Sequence, residues 1–312
     1  MILGRLANVL RELFRSNARP ERDETADLAA RLEQRVLTLV GNMPALPDTA
    51  TRAMALADDP DSNLAEFARL IEGDVAIATA LLRIANSALY SGGAPDAKLS
   101  QAVVRLGAFQ CKNLILSISM KSLVWQMADD QKKQCEALWH HGYVTAWLCR
   151  QIGQTYRVRF DGAEFSAGLL HDLGRILLLL ADPECFARAD ALDFRDEQGL
   201  LARERAAIGI DHCALAAWFA EHSKLPDTLI QAMKFHHEPE AAEHSNMLVA
   251  LVATADHMAN HLERGEEVTA YRPEENGGLA CLSARWPEGR KDRLHEEIPL
   301  MMEESLRAAA RE

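Results

Sequence analysis

The stretch 166-SAGLLHDLGRILLLLA-181 sets a histidine and an aspartate side by side in an otherwise apolar run. Apolar residues recur there at the three- and four-residue spacing of a helix, which predicts a helix over 162–181 with His171 and Asp172 facing the core. A carboxylate taken out of water without a partner costs several kcal/mol or neutralises itself by shifting its pKa. Something elsewhere in the chain must compensate the pair.

Most other segments carry the same period and few alternate with period two, so the predicted fold class is all-α. Helices are expected at about 64–72, 74–90, 99–125, 135–154, 196–206, 211–223, 226–237 and 245–262. An element over 43–60 opens with Pro44 and Pro47 followed by Asp48 as N-cap, and the Gly-Gly-Ala-Pro at 92–95 is a loop. Residues 1–18 form an amphipathic helix with Leu3, Leu6, Leu10, Leu13 and Phe14 on one side and Arg5, Arg11 and Arg15 around it. It could dock on the domain, pair with a second subunit in a homodimer, or lie on a membrane surface. From Arg264 the composition turns charged with Gly and Pro, marking the end of the main domain, and 289–312 closes the chain as a terminal helix.

The 312 residues, 48% apolar, suffice for one large core or two ordinary ones. A net charge of −12 leaves no electrostatic footprint for phosphate backbones, so no DNA binding is expected. Six scattered cysteines without a C-x-x-C pair suggest packed thiols in a reducing compartment. The N-terminus does not read as a signal peptide, and runs such as 247-MLVALVATA-255 fall far short of the roughly 20 residues a membrane span needs. The expectation is a cytoplasmic protein without a transmembrane segment.

Four further segments put polar residues on apolar helix faces. His141 shares its face with Leu138, Val144 and Leu148, His212 with Ile208, Leu215, Ala216 and Phe219, and Asp256 with Val249, Val252 and Ala253. In 233-MKFHHEP-239, His236 and His237 stand together just before Pro239 ends the helix. One histidine on an apolar face is ordinarily a core residue bonded to a backbone carbonyl. Five of them with two aspartates, which are almost never buried unpaired, form a donor set for divalent transition metals. A metal would also compensate the carboxylates. His140, His222, His244, His257, His261 and His295 read as surface or structural.

The order His, His-Asp, His, His-His, Asp resembles the HD superfamily of metal-dependent phosphohydrolases, and in particular its HD-GYP branch, which hydrolyses cyclic di-GMP at a two- or three-metal centre. His141, His171, Asp172, His212, His236, His237 and Asp256 match that ligand pattern in order. Three positions depart from it. The Gly-Tyr-Pro segment is replaced by His237-Glu238-Pro239-Glu240, the lysine after HD-x-G is Arg175, and the glutamate before the first histidine falls on Ala137.

The N-terminal half is similar to the HDOD family, the HD-related output domains of bacterial signalling. The resemblance rests on the L-P-like opening of 43-MPALPDTATRAMALADD-59, the Asp74 to Ser87 segment ending L-L-R-x-A-N-S, and the A-x-x-x-L-G step from Ala102 to Gly107. It implies a multi-helical domain over 36–262, with an N-terminal helical half at 36–127 and an HD-like half at 128–262. Residues 1–35 then form a helix and connector, and 263–312 a charged segment ending in a helix.

The resemblance further implies a binuclear centre of Fe, Mn, Zn or Ni on the seven matched residues. Three functions stay open. The favoured one is a non-enzymatic output module that binds a signalling protein. The alternative is a phosphohydrolase acting on a nucleotide such as cyclic di-GMP, with Asp172 bridging the ions, His171 holding one and Arg175 steadying the phosphate. Between them lies a sensor whose nucleotide or metal ligand shifts helix packing.

Overall fold

A computed structural model of the chain describes residues 63–86, 98–108, 110–112, 114–115, 129–158, 160, 163–195, 199–222, 225–242, 246–284, 286 and 288–309, with single positions at 49, 52, 53, 56 and 118. Among these residues every regular element is a helix and no strand occurs. The fold is all-α, as the sequence period predicts. The amphipathic helix expected over 1–18, its connector and most of 43–60 lie outside the described residues.

The N-terminal layer consists of α1 (Leu64–Glu72), α2 (Val75–Ala85) and α3 (Leu99–Leu106). Side chains set where the first two begin. Asn63 Oδ1 accepts the Glu66 N–H at 2.8 Å and Asp74 Oδ1 accepts the Ile77 N–H at 3.1 Å, caps worth about 1 kcal/mol each. α3 stops at Gly107, whose φ of +79° is open to glycine and strained for other residues. The helix expected over 99–125 is therefore interrupted, and helical backbone resumes at residue 108.

The C-terminal body is built around α4 (Asp129–Thr155), a 27-residue helix. It is followed by α5 (Ala163–Leu170), α6 (Leu173–Ala181), α7 (Pro183–Ala189), α8 (Leu200–Ile208), α9 (His212–His222), α10 (Asp227–Phe235), α11 (Asn246–Glu263), α12 (Gly277–Ser283) and α13 (Glu288–Ala309). One side of α4 presents Ala146 and Trp147, which with Phe165 and Leu169 of α5 close a cluster containing Phe67, Ile71, Leu81, Val103 and Ile115 of the N-terminal layer. The other side sends Val144, Leu148 and Ile152 into the main core with Leu170, Leu215, Leu229 and Val252. α4 and α5 are thus the wall shared by both cores.

The segment quoted at the outset is two helices where one was expected. His171 and Asp172 form the turn between α5 and α6. The turn is held against α9 by Gly174, where an added Cβ would lie 1.9 Å from the carbonyl oxygen of His212. A helix on each side and a bare backbone contact fix the His-Asp pair where a continuous helix would have splayed its two side chains about 100° apart.

The charged stretch after Arg264 holds α12, capped by Asn276, whose Oδ1 accepts the Leu279 N–H at 2.8 Å. α12 packs on α11, and α13 returns along α4. There Tyr156 donates its hydroxyl to Glu297 at 2.8 Å and stacks on Trp286 with ring centroids 5.2 Å apart. Among the described residues no helix is long and apolar enough to cross a membrane.

Candidate metal centre

The seven residues of the sequence pattern arrive from five places in the fold. His141 comes from the middle of α4, His171 and Asp172 from the α5–α6 turn, His212 from the first position of α9, His236 and His237 from the end of α10, and Asp256 from α11. His141, His171, Asp172, His212, His236 and Asp256 are all buried. His237 is half-buried and faces the one open side.

Their donor atoms meet in the space between the helices. His141 Nε2 stands 3.0 Å from Asp256 Oδ1, and His171 Nε2 3.4 Å from the same oxygen. Asp172 Oδ1 lies 3.4 Å from His212 Nε2, 3.5 Å from His236 Nε2 and 3.7 Å from His171 Nε2, while its Oδ2 is 3.7 Å from His141 Nε2. Asp172 is therefore central, within reach of four imidazoles.

The outer side of three rings is pinned. His171 Nδ1 donates to the Gly168 carbonyl at 2.7 Å, and His236 Nδ1 lies 3.0 Å from the Met233 carbonyl. A carbonyl only accepts, so Nδ1 carries a proton and Nε2 is the nitrogen that faces inward. Glu204 does the same for His212, accepting at one oxygen from the ring Nδ1 at 2.8 Å and the backbone N–H at 2.9 Å. Such outer partners orient metal-binding histidines.

The residues fit a metal. His171 Nε2 is buried and has no hydrogen-bond partner, although its ring is fixed by the bond on the opposite nitrogen. The charges agree. Burial pushes the Asp172 carboxyl up, but His171 and Arg175 outweigh it and hold the group well below the usual carboxylate range. Asp256 is likewise pushed up by burial and pulled well down by His141 and His171. Burial, with the charge of His236 and His212, drives His237 well below the ordinary imidazole value, which keeps it in the neutral, ligating form. His236 shifts the other way, to about 10, because Cys213 and Asp172 overcome its burial. Two anionic carboxylates call for positive charge, which protons on imidazoles or a divalent cation can supply.

Arg175 is wholly buried. Its Nη1 donates to Asp172 Oδ2 at 2.8 Å and its Nε to Asp190 Oδ2 at 2.7 Å. The loop after α7 folds over it, with Phe194 stacked against the His141 ring at 5.2 Å and beneath the guanidinium at 5.7 Å. Leu192 and Phe194 both adopt positive φ, near +52° and +53°, a strained geometry for such side chains that the Asp190 to Leu192 N–H bond of 2.8 Å helps hold.

On its open side the centre borders a cavity of about 240 Å³ lined by His237, Asp256, His257, Asn260, Glu240 and Glu275 among others. Neither lysine nor arginine is among the lining residues. Asn260 donates from Nδ2 to Asp256 Oδ1 at 3.1 Å. His257, read from the sequence as surface or structural, lines this cavity and bonds the Tyr271 hydroxyl at 3.0 Å.

Sequence reasoning did not single out Glu204, Asp190, Phe194, Asn260 or Cys213. Cys213 alone carried a usable signal, its place beside His212. Glu204, Asp190 and Phe194 belong to segments whose approach depends on the α7–α8 loop geometry.

A family model for the HDOD domain matches residues 43–239, and the chain belongs to that family. The crystal structure of an HDOD domain protein of unknown function from Geobacter sulfurreducens superposes with a TM-score of 0.62 at 22% identity, covering 88% of this chain and 98% of that one. A protein of Shewanella amazonensis, provisionally named a metal-dependent phosphohydrolase, gives 0.61 at 18% identity over 90% and 99% of the two chains. These likenesses speak for the fold. An uncharacterised protein of Treponema pallidum is 28% identical over 235 residues, 75% of this chain and 44% of the relative. The chain spans less than half the length of that curated relative.

Proposed function

We propose that this HDOD protein is a bacterial signal-transduction output module that acts by binding a protein or a small ligand and keeps an HD-type metal centre within its C-terminal half. In this reading residues 36–262 are the output domain, 1–35 and 263–312 flank it, and it works in the cytoplasm on a signalling partner. His141, His171, Asp172, His212, His236, His237 and Asp256 would hold up to two ions of Fe, Mn, Zn or Ni.

The observation that carries the reading is the state of Arg175. Metal ions can clamp phosphoryl oxygens themselves, but Arg175, the one side-chain cation the family pattern sets beside them, is sealed under Phe194 with its Nε and Nη1 bonded to Asp190 and Asp172. The adjoining cavity offers Glu240 and Glu275 at its rim, which repel an anionic nucleotide. Metal ligation without phosphate recognition suits a binding module.

The second reading, a nucleotide phosphohydrolase, is favoured by the full donor set and by its opening to a cavity through His237 and Asp256. Divalent ions, when bound, supply Lewis-acid activation of water and neutralise phosphoryl charge. Arg175 would have to release one carboxylate to reach a substrate. The deciding experiment measures metal content by elemental analysis and turnover of cyclic di-GMP and a generic phosphodiester with added manganese. Metal without turnover is the expected result. Turnover that disappears in His171→Ala would replace the output-module reading with the enzymatic one.

A further inference from the structure

Cys213 lies in the centre yet has no place in the seven-residue pattern. It is the second residue of α9, 4% exposed, and its Sγ stands 3.4 Å from His212 Nε2 and 4.0 Å from His236 Nε2. His237 Nε2 is 3.2 Å and His236 Nε2 3.4 Å from His212 Nε2. All four residues offer a donor atom within 4.8 Å of the others.

These separations are those of a coordination polyhedron. With metal–nitrogen bonds of about 2.0–2.1 Å and a metal–sulfur bond of about 2.3 Å, a tetrahedron has nitrogen–nitrogen edges of about 3.3 Å and nitrogen–sulfur edges of about 3.6 Å. The four distances scatter around those edges. The rings cannot swing away, since Glu204 pins His212 and main-chain carbonyls pin His236. Two further groupings, His141 with His171 and Asp256, and His171 with Asp172 and His236, adjoin it.

We infer that the centre is asymmetric: Cys213 is a thiolate ligand, completing with His212, His236 and His237 a four-donor site for a soft ion such as zinc, next to a harder nitrogen and oxygen site on His141, His171, Asp172 and Asp256. The inference rests on the metal reading proposed above. On binding, the thiol proton passes to solvent and the sulfur lone pair enters the metal's coordination shell. A sulfur donor selects zinc or cobalt over manganese. Four protein donors also fill the tetrahedron, the hallmark of structural zinc, whereas catalytic zinc keeps a position open. One of the two ions would then hold α9 to α10 and contribute no activated water.

The test is cobalt titration of the metal-free full-length chain, read by absorption. The expected result is a near-ultraviolet thiolate-to-cobalt charge-transfer band that grows as cobalt is added, is lost in Cys213→Ser and persists in Cys281→Ser. Zinc should displace the cobalt and abolish the band, and manganese should leave it. X-ray absorption of the cobalt-loaded wild type should find a sulfur neighbour at about 2.3 Å, a readout that does not depend on the variant folding. Cobalt uptake without the band, or a band that survives Cys213→Ser, overturns the role of Cys213 and leaves the metal centre standing. No cobalt uptake at all overturns both.

Discussion

Arg175 and Asp172, one helical turn apart and both buried, meet at 2.8 Å, and the same guanidinium holds Asp190 at 2.7 Å from its Nε. A buried ion cluster of this kind tolerates the loss of its central member badly, because Asp190 then loses its buried cation and Asp172 keeps only its imidazole neighbours. Arg175→Met is expected to lower the unfolding free energy of the metal-free protein by about 3–5 kcal/mol, measured by urea denaturation. Saturating metal should restore part of the loss by neutralising Asp172, while Asp190 stays uncompensated. An equal loss with and without metal would argue that Asp172 is no ligand.

Gly174 tests the backbone contact beneath the site. A Cβ at this position would sit 1.9 Å from the carbonyl oxygen and 2.6 Å from the carbonyl carbon of His212, both main-chain atoms that cannot turn aside. Gly174→Ala must push α6 away from α9, and with it Asp172 from His212. Overpacking of this type destabilises by about 1–3 kcal/mol, and a clash with backbone belongs at the upper end. Metal affinity should fall with stability. Gly289→Ala, where an added Cβ meets nothing within 4 Å, is the control and should leave metal affinity unchanged while, lying in helix α13, it raises stability slightly.

His141, His212 and Asp256 were legible as polar residues on apolar helix faces, whereas His171, Asp172, His236 and His237 stand in turns and were picked out by their adjacency and by the family resemblance. The same period blurred what lies between helices. A continuous helix over 162–181 fitted the apolar spacing, and the break at His171 and Asp172 follows from the tertiary contact of Gly174 with His212, which no local pattern encodes. Gly107, whose positive φ ends α3, lay inside the helix expected over 99–125, and its stop was missed. The roles of Glu204, Asp190 and Phe194 depend on how the loop after α7 folds back, a long-range matter. α12 fell within a charged Gly/Pro stretch, where its apolar residues were too few to show a period.

Glu204 predicts an effect on metal affinity without being a ligand. Its Oε2 accepts both the ring and backbone N–H of His212, which fixes the inward tautomer of that imidazole. Loss of such an outer-shell carboxylate typically weakens metal binding 10–100-fold. Glu204→Gln keeps the shape but can present an amide N–H to the ring, favouring the opposite tautomer. Zinc affinity measured by competition with a chromophoric chelator should drop within that range, while far-ultraviolet circular dichroism stays that of the wild type. Unchanged affinity would place His212 outside the metal shell.

The last prediction concerns pH and the docking of α13. Glu297 receives a hydrogen bond from Arg293 at 2.7 Å and another from the Tyr156 hydroxyl at 2.8 Å, the latter crossing from α13 to the end of α4. The Arg293 bond chiefly lowers the carboxyl below its ordinary 4.5, against the opposing effect of burial and with smaller help from Tyr156. A carboxyl with a depressed folded-state pKa stabilises fully above its unfolded value and loses that contribution as pH falls through the folded one. In urea unfolding at a series of pH values, the stability difference between wild type and Glu297→Gln should be constant above about pH 4.5 and narrow below it. With the Glu297 side chain 28% exposed, the difference should be small, in the range of partly screened surface pairs. Tyr156→Phe should reduce it further if the hydroxyl bond is what ties α13 down. A difference that stays constant into the acid range would mean that the ionised carboxylate takes no part in holding the helix.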